Sequence, residues 1–153
     1  MPSQDYECSI KATATLEECF EKIGQVSEWW TKNFDGSARK PGDAFTVHFG
    51  ETFVDFKIAE AIPSKKIVWQ VTNSNLPFLK DKTEWNGTSV IWELSSENGT
   101  TTVAMIHRGL VPEVECYNNC QEGWNFYVTN SLRRFLTEGK GLPDGKGRSK
   151  GEV

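Results

Sequence analysis

The sequence predicts an α+β fold in two layers: a curved antiparallel sheet of about six strands, crossed by one long C-terminal helix. Three observations predict it. Apolar and polar residues alternate in short segments between residues 6 and 107. Turn residues separate those segments at hairpin spacing. A helical period then runs through residues 116–136, the longest in the chain. Hairpin-linked strands followed by a helix pack as one sheet layer and one helix layer.

Each element follows from its residues. Tyr6, Cys8 and Ile10 alternate with Glu7, Ser9 and Lys11, a strand with one buried face. Thr15-Leu16-Glu17-Glu18 is a capping box, in which the Thr15 hydroxyl takes the Glu18 amide and the Glu18 carboxylate reaches back. Leu16, Cys19, Phe20 and Ile23 follow at helical spacing, and Gly24 is a stop. Val26 to Trp30 is a second short helix. Gly36, Pro41 and Gly42 mark a loop.

Phe45, Val47 and Phe49 then alternate with Thr46 and His48, which puts His48 on the outer face. Gly50-Glu51 is a two-residue turn. Phe53 to Ile62 is the next strand, with Val54, Phe56 and Ile58 on one face. Pro63-Ser64-Lys65 turns the chain into a strand bearing Ile67, Trp69 and Val71. Residues 73–87 read as a long irregular loop. Val90, Trp92 and Leu94 form one arm of a hairpin, Asn98-Gly99 its bend, and Val103, Met105 and His107 the other.

In the last helix, Cys116 to Leu136, one face carries Cys120, Trp124, Tyr127, Val128, Ser131 and Phe135. Asn118, Glu122, Asn125, Thr129 and Arg133 share the other, and Phe126 falls there too, as a lone exposed aromatic or a dimer contact. Gly139, Gly141 and Pro143 end the helix. The expected organisation is a single domain over residues 1–143 and a flexible Gly- and Lys-rich tail over 144–153. One helix does not cover the concave face of a bent sheet, so a cavity between the two is expected.

Composition bounds the function. A chain of 153 residues buries about 68–70% of its unfolded surface, enough for a core without disulfide or metal. The net charge of −4 argues against a phosphate-tracking surface, so no nucleic-acid partner is expected. No stretch approaches the roughly 18 apolar residues of a membrane helix. Met1-Pro2-Ser3-Gln4-Asp5 lacks the basic and apolar regions of a signal peptide, and a cytoplasmic location is expected. Cys8, Cys19, Cys116 and Cys120 form no C-x-x-C pair and read as reduced, mostly buried thiols. Asn86-Gly87-Thr88 and Asn98-Gly99-Thr100 match a glycosylation pattern but read as turns. Six Trp and nine Phe leave a large aromatic volume to place.

Several segments, in order, resemble the START-like (SRPBCC, helix-grip, Bet v-like) superfamily. They are Thr13-Ala14-Thr15-Leu16-Glu17-Glu18-Cys19-Phe20, Trp29-Trp30, Pro41-Gly42-Asp43-Ala44-Phe45 and Pro63-Ser64-Lys65-Lys66-Ile67-Val68-Trp69. Glu84-Trp85-Asn86-Gly87-Thr88, the strand with His107, Gly123-Trp124, Ser131-Leu132 and Gly139-Lys140-Gly141 complete the series. Within that superfamily the chain is similar to the group named after the activator of heat-shock-protein-90 ATPase, over roughly residues 5–143. The resemblance implies a helix-grip fold with a deep apolar cavity between sheet and C-terminal helix. It also implies ligands such as lipids, sterols or polyketide-like molecules, cyclase activity in some members, and chaperone stimulation in the namesake.

The candidate ligand-binding residues are Trp29, Trp30, Phe45, Val47, Phe56, Trp69, Trp92, Met105, His107, Cys120, Trp124, Tyr127 and Ser131. Their plain reading is core packing. The functional reading is a pocket lined by apolar residues with a few polar groups to orient a ligand. His107, in phase with Val103 and Met105, is either satisfied by a backbone carbonyl or offers a hydrogen bond to the cavity. The hydroxyls of Tyr127 and Ser131 have the same two readings. Glu84 beside Trp85 is a solvated turn carboxylate in the simpler reading, and an acid or base in the other. Two histidines on opposite faces and scattered cysteines make no metal set, so no metal or cofactor is expected. Neither a phosphate loop nor a nucleophile elbow is present in the sequence.

The expected function is a non-catalytic binding protein with a hydrophobic cavity for a small apolar molecule, lipid- or polyketide-like, as a monomer or homodimer. One alternative is a protein-interaction module related to chaperone ATPase activators, with a chaperone or other protein partner. A second is a cyclase- or hydrolase-type enzyme using His107 with a cavity hydroxyl. Solid packing of Trp69, Trp92 and Trp124 that leaves no void would overturn this cavity reading.

Overall fold

The computed structural model describes residues 5–49, 51–77, 80, 82–111 and 117–142. Strand β1 (Tyr6–Ala12) is followed by helices α1 (Leu16–Ile23) and α2 (Val26–Trp29). Strands β2 (Phe34–Gly36), β3 (Ala44–Phe49), β4 (Thr52–Ile62), β5 (Lys66–Asn75), β6 (Ser89–Glu97) and β7 (Thr100–Arg108) come next. The C-terminal helix has three parts: α3 (Tyr117–Phe126), a π-helical segment (Tyr127–Leu132) and α4 (Arg133–Glu138).

All seven strands form one antiparallel sheet in the order β1-β7-β6-β5-β4-β3-β2. Strands β2 to β7 are therefore a meander, and β1 closes its far edge against β7. The helices α1 and α2 carry the chain from one edge of the sheet to the other. The Thr15 cap is formed as expected: its hydroxyl accepts from the Glu18 amide at 3.0 Å, and its amide donates to the Glu18 carboxylate at 3.4 Å. Asn98 and Gly99 both take positive φ, 53° and 80°, which is the turn that a two-residue hairpin requires.

Three expectations need correction. The sheet has seven strands, not about six. Strand β2 is three residues long and contains Gly36, so it offers too little alternation to stand out from a loop. Strand β5 extends to Asn75, so residues 73–75 are not loop. Asp55 pairs with Asn73 and Phe56 with Val71, which leaves Thr72 as an extra residue. Such a bulge flips the facing of the residues beyond it: Ile67, Trp69 and Val71 are buried, and then Ser74 and Leu76. That flip breaks the period-2 pattern at the point where the strand seemed to stop. A second bulge, at Ala59 between Ile58 and Glu60, lies opposite on β4. Together they bend the sheet around the helix.

The third correction concerns the cysteines. Cys8 and Cys19 are free, as expected of reduced thiols, but Cys120 is disulfide-bonded. Pairing depends on which thiols approach in space, and a composition argument is blind to that. Cys116, the turn at Gly50 and the tail expected over 144–153 lie outside the described residues. Among the described residues, no helix is long and apolar enough to cross a membrane.

Candidate functional site

The concave face of the sheet is a floor of side chains set by strand alternation. Phe45 and Val47 on β3, Phe56 on β4, Trp69 on β5, Trp92 on β6 and Met105 and His107 on β7 are all buried. Trp29 and Trp30 enter from the end of α2, and Trp124 and Tyr127 descend from the C-terminal helix. These rings meet in a continuous chain. Trp85 stacks on Trp124 at 6.0 Å between centroids, and Trp124 meets Trp30 at 4.9 Å. Trp30 stacks on Trp69 at 6.3 Å, and Trp69 meets Trp92 edge-on at 5.2 Å. Phe45 and Phe56 flank Trp69 at 5.0 and 5.4 Å, and Tyr127 lies 6.4 Å from Trp30. Offset and edge-on pairs of this kind are each worth about 0.5–1.5 kcal/mol beyond the area they bury.

His107 is the polar node of this interior. Its Nδ1 accepts from Trp124 Nε1 at 3.0 Å, and its Nε2 lies 2.9 Å from Thr88 Oγ1. Thr88 Oγ1 donates to the Trp85 carbonyl at 2.7 Å, so its single proton is used there. The hydroxyl must accept from His107, and the imidazole is therefore the neutral tautomer with its proton on Nε2. Complete burial reinforces this by lowering the imidazole pKa to about 3. The histidine is satisfied by a threonine hydroxyl and an indole, not by a backbone carbonyl. Both nitrogens are occupied, so direct hydrogen bonding to a ligand or acid–base work would first break one of these bonds.

Ser131 is also committed. Its hydroxyl donates to the Trp29 carbonyl at 2.6 Å and accepts from the Leu142 amide at 2.7 Å. The three-way staple holds the C-terminal helix, the end of α2 and the returning chain together. Gly141 makes it possible: a Cβ there would sit 2.5 Å from the Glu28 carbonyl oxygen. On sequence Gly141 reads as a helix terminator within a family-like Gly139-Lys140-Gly141 segment, with no sign of this contact.

The structure thus brings together twelve of the thirteen candidate residues as buried groups, and Cys120 is half-buried at the edge. His48 faces outward and pairs with Asp35 at 3.4 Å. Glu84 is half-buried. Phe126 is not on the solvent face; it is partly buried and packs edge-on against Tyr127 at 5.1 Å. Trp85 and Thr88 are absent from the sequence candidates, because Trp85 stands in the stretch 73–87 that reads as loop and Thr88 directly follows it. The available signal is the tryptophan itself, since so large an apolar ring in a turn has to be buried somewhere. Tyr6 reads on sequence only as a strand residue; its hydroxyl donates to Asn125 Oδ1 at 2.5 Å and ties β1 to the helix.

Two described pockets lie elsewhere, on the α1–α2 side. One of about 410 Å³ is lined by Glu17, Phe20, Glu21, Arg39, Pro63 and Ile67 among others. A neighbouring one of about 270 Å³ includes Gly24, Val26, Phe34 and Ala38. Neither is lined by the aromatic chain: its rings touch one another, so the open cavity expected between sheet and helix is not found among the described residues. Among the described residues, no group of three His, Cys, Asp or Glu side chains is placed to hold a metal ion.

The architecture has known counterparts. A solution structure of the Aha1 dimer from Colwellia psychrerythraea superposes with a TM-score of 0.75 at 25% identity, over 90% of this chain and 98% of that one. The protein SSP2350 from Staphylococcus saprophyticus gives 0.67 at 14% identity, over 90% and 94%. DynU16, from the dynemicin biosynthetic locus, gives 0.66 at 18% identity; it covers 92% of this chain, which spans 49% of DynU16. No curated protein matches the sequence. Residues 14–137 match the family described as activator of Hsp90 ATPase homolog 1-like protein. The chain belongs to that family, and its curved sheet gripping a C-terminal helix is the START-like, helix-grip fold.

Proposed function

We propose that this protein binds a small apolar molecule between the concave face of the sheet and the C-terminal helix. The observation that carries the reading is the unbroken run of rings from Trp85 through Trp124, Trp30 and Trp69 to Trp92, placed directly under the helix. Aromatic walls with a few polar groups are what ligand sites are made of. The helix wall itself contains a π segment over Tyr127–Leu132, a feature that recurs at functional sites. Because the rings touch, a ligand has to part them and replace with its own apolar surface both the area they bury on one another and the roughly 1 kcal/mol of each pair contact. Residues Trp29, Trp30, Phe45, Val47, Phe56, Trp69, Trp92, Met105, Cys120, Trp124 and Tyr127 line or border that space. His107 and Ser131 act by holding Trp124 and Trp29 in place. The test is native mass spectrometry of protein purified gently from its own cells. A co-purifying apolar mass supports the reading; a bare chain that no apolar probe stabilises overturns it.

A second reading has its own support. The family and the Aha1 relative point to protein contacts, and the Aha1 relative is described as a dimer. The groove beside α1 combines an apolar floor of Phe20, Pro63 and Ile67 with Glu17, Glu21 and Arg39 at its rim. A chaperone-binding module would raise the ATP turnover of an Hsp90-type chaperone. Unchanged turnover, with no complex by analytical ultracentrifugation, removes this reading.

A further inference from the structure

The two pockets on the α1–α2 side share Gly24, Gln25, Ala38 and Arg39 and so form one groove. Its floor is apolar, with Phe20 and Ile67 at one end and Val26 and Phe34 at the other. Its rim carries Glu17 and Glu21, four positions apart on α1, so both carboxylates lie on one side of that helix. Both are exposed, and neither makes a hydrogen bond or ion pair among the described residues. The Arg39 guanidinium is likewise without a partner among them. Glu28, at the other end, is already paired with Lys32 at 3.1 Å. The chain leaves the described structure beside this groove. Leu142 is the last described residue, and a Cβ on the preceding Gly141 would meet the Glu28 carbonyl oxygen at 2.5 Å. Pro143 follows, and a proline favours an extended course at the residue before it.

We infer that residues 143–153 lie along this groove as an extended strap, with Lys146, Arg148 and Lys150 turned to Glu17 and Glu21. The segment fits in reach, spacing and charge. Fully extended, it carries Lys150 roughly 26 Å from Leu142 at about 3.3 Å per residue, and α1 is only about 12 Å long. Alternate residues of an extended chain share one side, which sets the three bases in a row about 6.6 Å apart. Glu17 and Glu21 stand about 6 Å apart along their helix. Gly145, Gly147, Ser149 and Gly151 alternate with the bases, so the opposite side of the strap is small enough to lie on Phe20 and Ile67. Asp144, ahead of the bases, meets Arg39, which borders the groove at both ends. Exposed ion pairs are individually weak. The tether compensates, because a segment attached at the end of the groove is present there at about millimolar effective concentration. The inference goes beyond both readings above and bears on the second, since a protein partner of this groove has to displace the strap.

The test is nuclear magnetic relaxation of the full chain, read at the backbone amides. At about 0.1 M salt, residues 146–150 are expected to show order parameters between about 0.6 and 0.85, with Overhauser contacts to Phe20 or Ile67. At about 1 M salt the screening length falls from about 10 to about 3 Å, and the order parameters should drop below about 0.6. This salt comparison needs no variant. Lys146→Glu, Arg148→Glu and Lys150→Glu together should release the strap at low salt, and so should Glu17→Lys with Glu21→Lys. Combining the two sets should restore it, which damage to the fold would not do. Order parameters already below about 0.6 in the parent at low salt, or no rescue in the combined variant, overturn the inference. Ordering with contacts outside the groove does the same. Ordering that grows with protein concentration assigns the groove to the segment of a second copy and overturns the strap within one chain.

Discussion

Trp124 donates its indole proton to His107 across the interface between the C-terminal helix and the sheet, at 3.0 Å. The imidazole passes the connection to Thr88, and Thr88 to the Trp85 carbonyl. One directed line of hydrogen bonds thus fixes the helix, strand β7 and the turn before β6 relative to one another. It also sets the position of two of the rings in the aromatic chain.

Removing the node should loosen that arrangement. His107→Ala leaves the Trp124 donor unpaired and opens a small void, and is expected to destabilise the fold by about 3 kcal/mol. Urea unfolding followed by tryptophan fluorescence measures it. A loss below about 0.5 kcal/mol would show that the line of bonds is dispensable.

Acid should act through the same residue. In the folded protein His107 titrates at about 3, against an ordinary value of 6.5. The unfolded chain therefore takes up the proton first, and the stabilising contribution of the neutral imidazole is complete above about pH 6.5. It is lost as the pH falls from there toward 3, at up to about 1.4 kcal/mol per pH unit. Between pH 6.5 and 5, His107→Gln is expected to lose about 2 kcal/mol less stability than the parent protein. Parallel unfolding curves at the two pH values provide the check.

The Ser131 staple can be opened from either side. Ser131→Ala leaves the partly buried Leu142 amide and the Trp29 carbonyl without their partner and should cost about 1–3 kcal/mol. Gly141→Ala forces a Cβ against the Glu28 carbonyl and should cost a similar amount. Because both act on one contact, the double variant should lose less than the sum of the two. Thermal or urea unfolding of the cycle tests this, and strict additivity would refute the shared mechanism.

The Thr15 cap serves as a control. Thr15→Ala should lower stability by about 1 kcal/mol through loss of the α1 cap. The affinity for any apolar probe should stay the same, since Thr15 is exposed and remote from the ring chain. A matching drop in affinity would mean that binding simply tracks global stability.

The sequence by itself determined the order of elements, the strand faces and the buried stripe of the last helix. Period, cap and turn chemistry are local, and so they can be read along the chain. Trp69, Trp92, Met105 and Trp124 went to the interior because alternation or helical spacing left them no other face. Tertiary structure alone decided the rest. The bulge at Thr72 reversed the facing of β5, and no residue type announces a bulge. Trp85 came into the interior from a turn, where no periodicity operates. Most consequentially, His107 and Ser131 each had two readings, a satisfied core group or a polar group facing a cavity, and only their partners decided for the first. Their partners, Thr88, Trp124, the Trp29 carbonyl and the Leu142 amide, were brought to them by the meander and the helix. Hydrogen-bond partners are a matter of proximity, and proximity between residues 11 and 102 positions apart is set only by the fold. The same proximity left the indoles of Trp69, Trp85 and Trp92 without acceptors among the described residues.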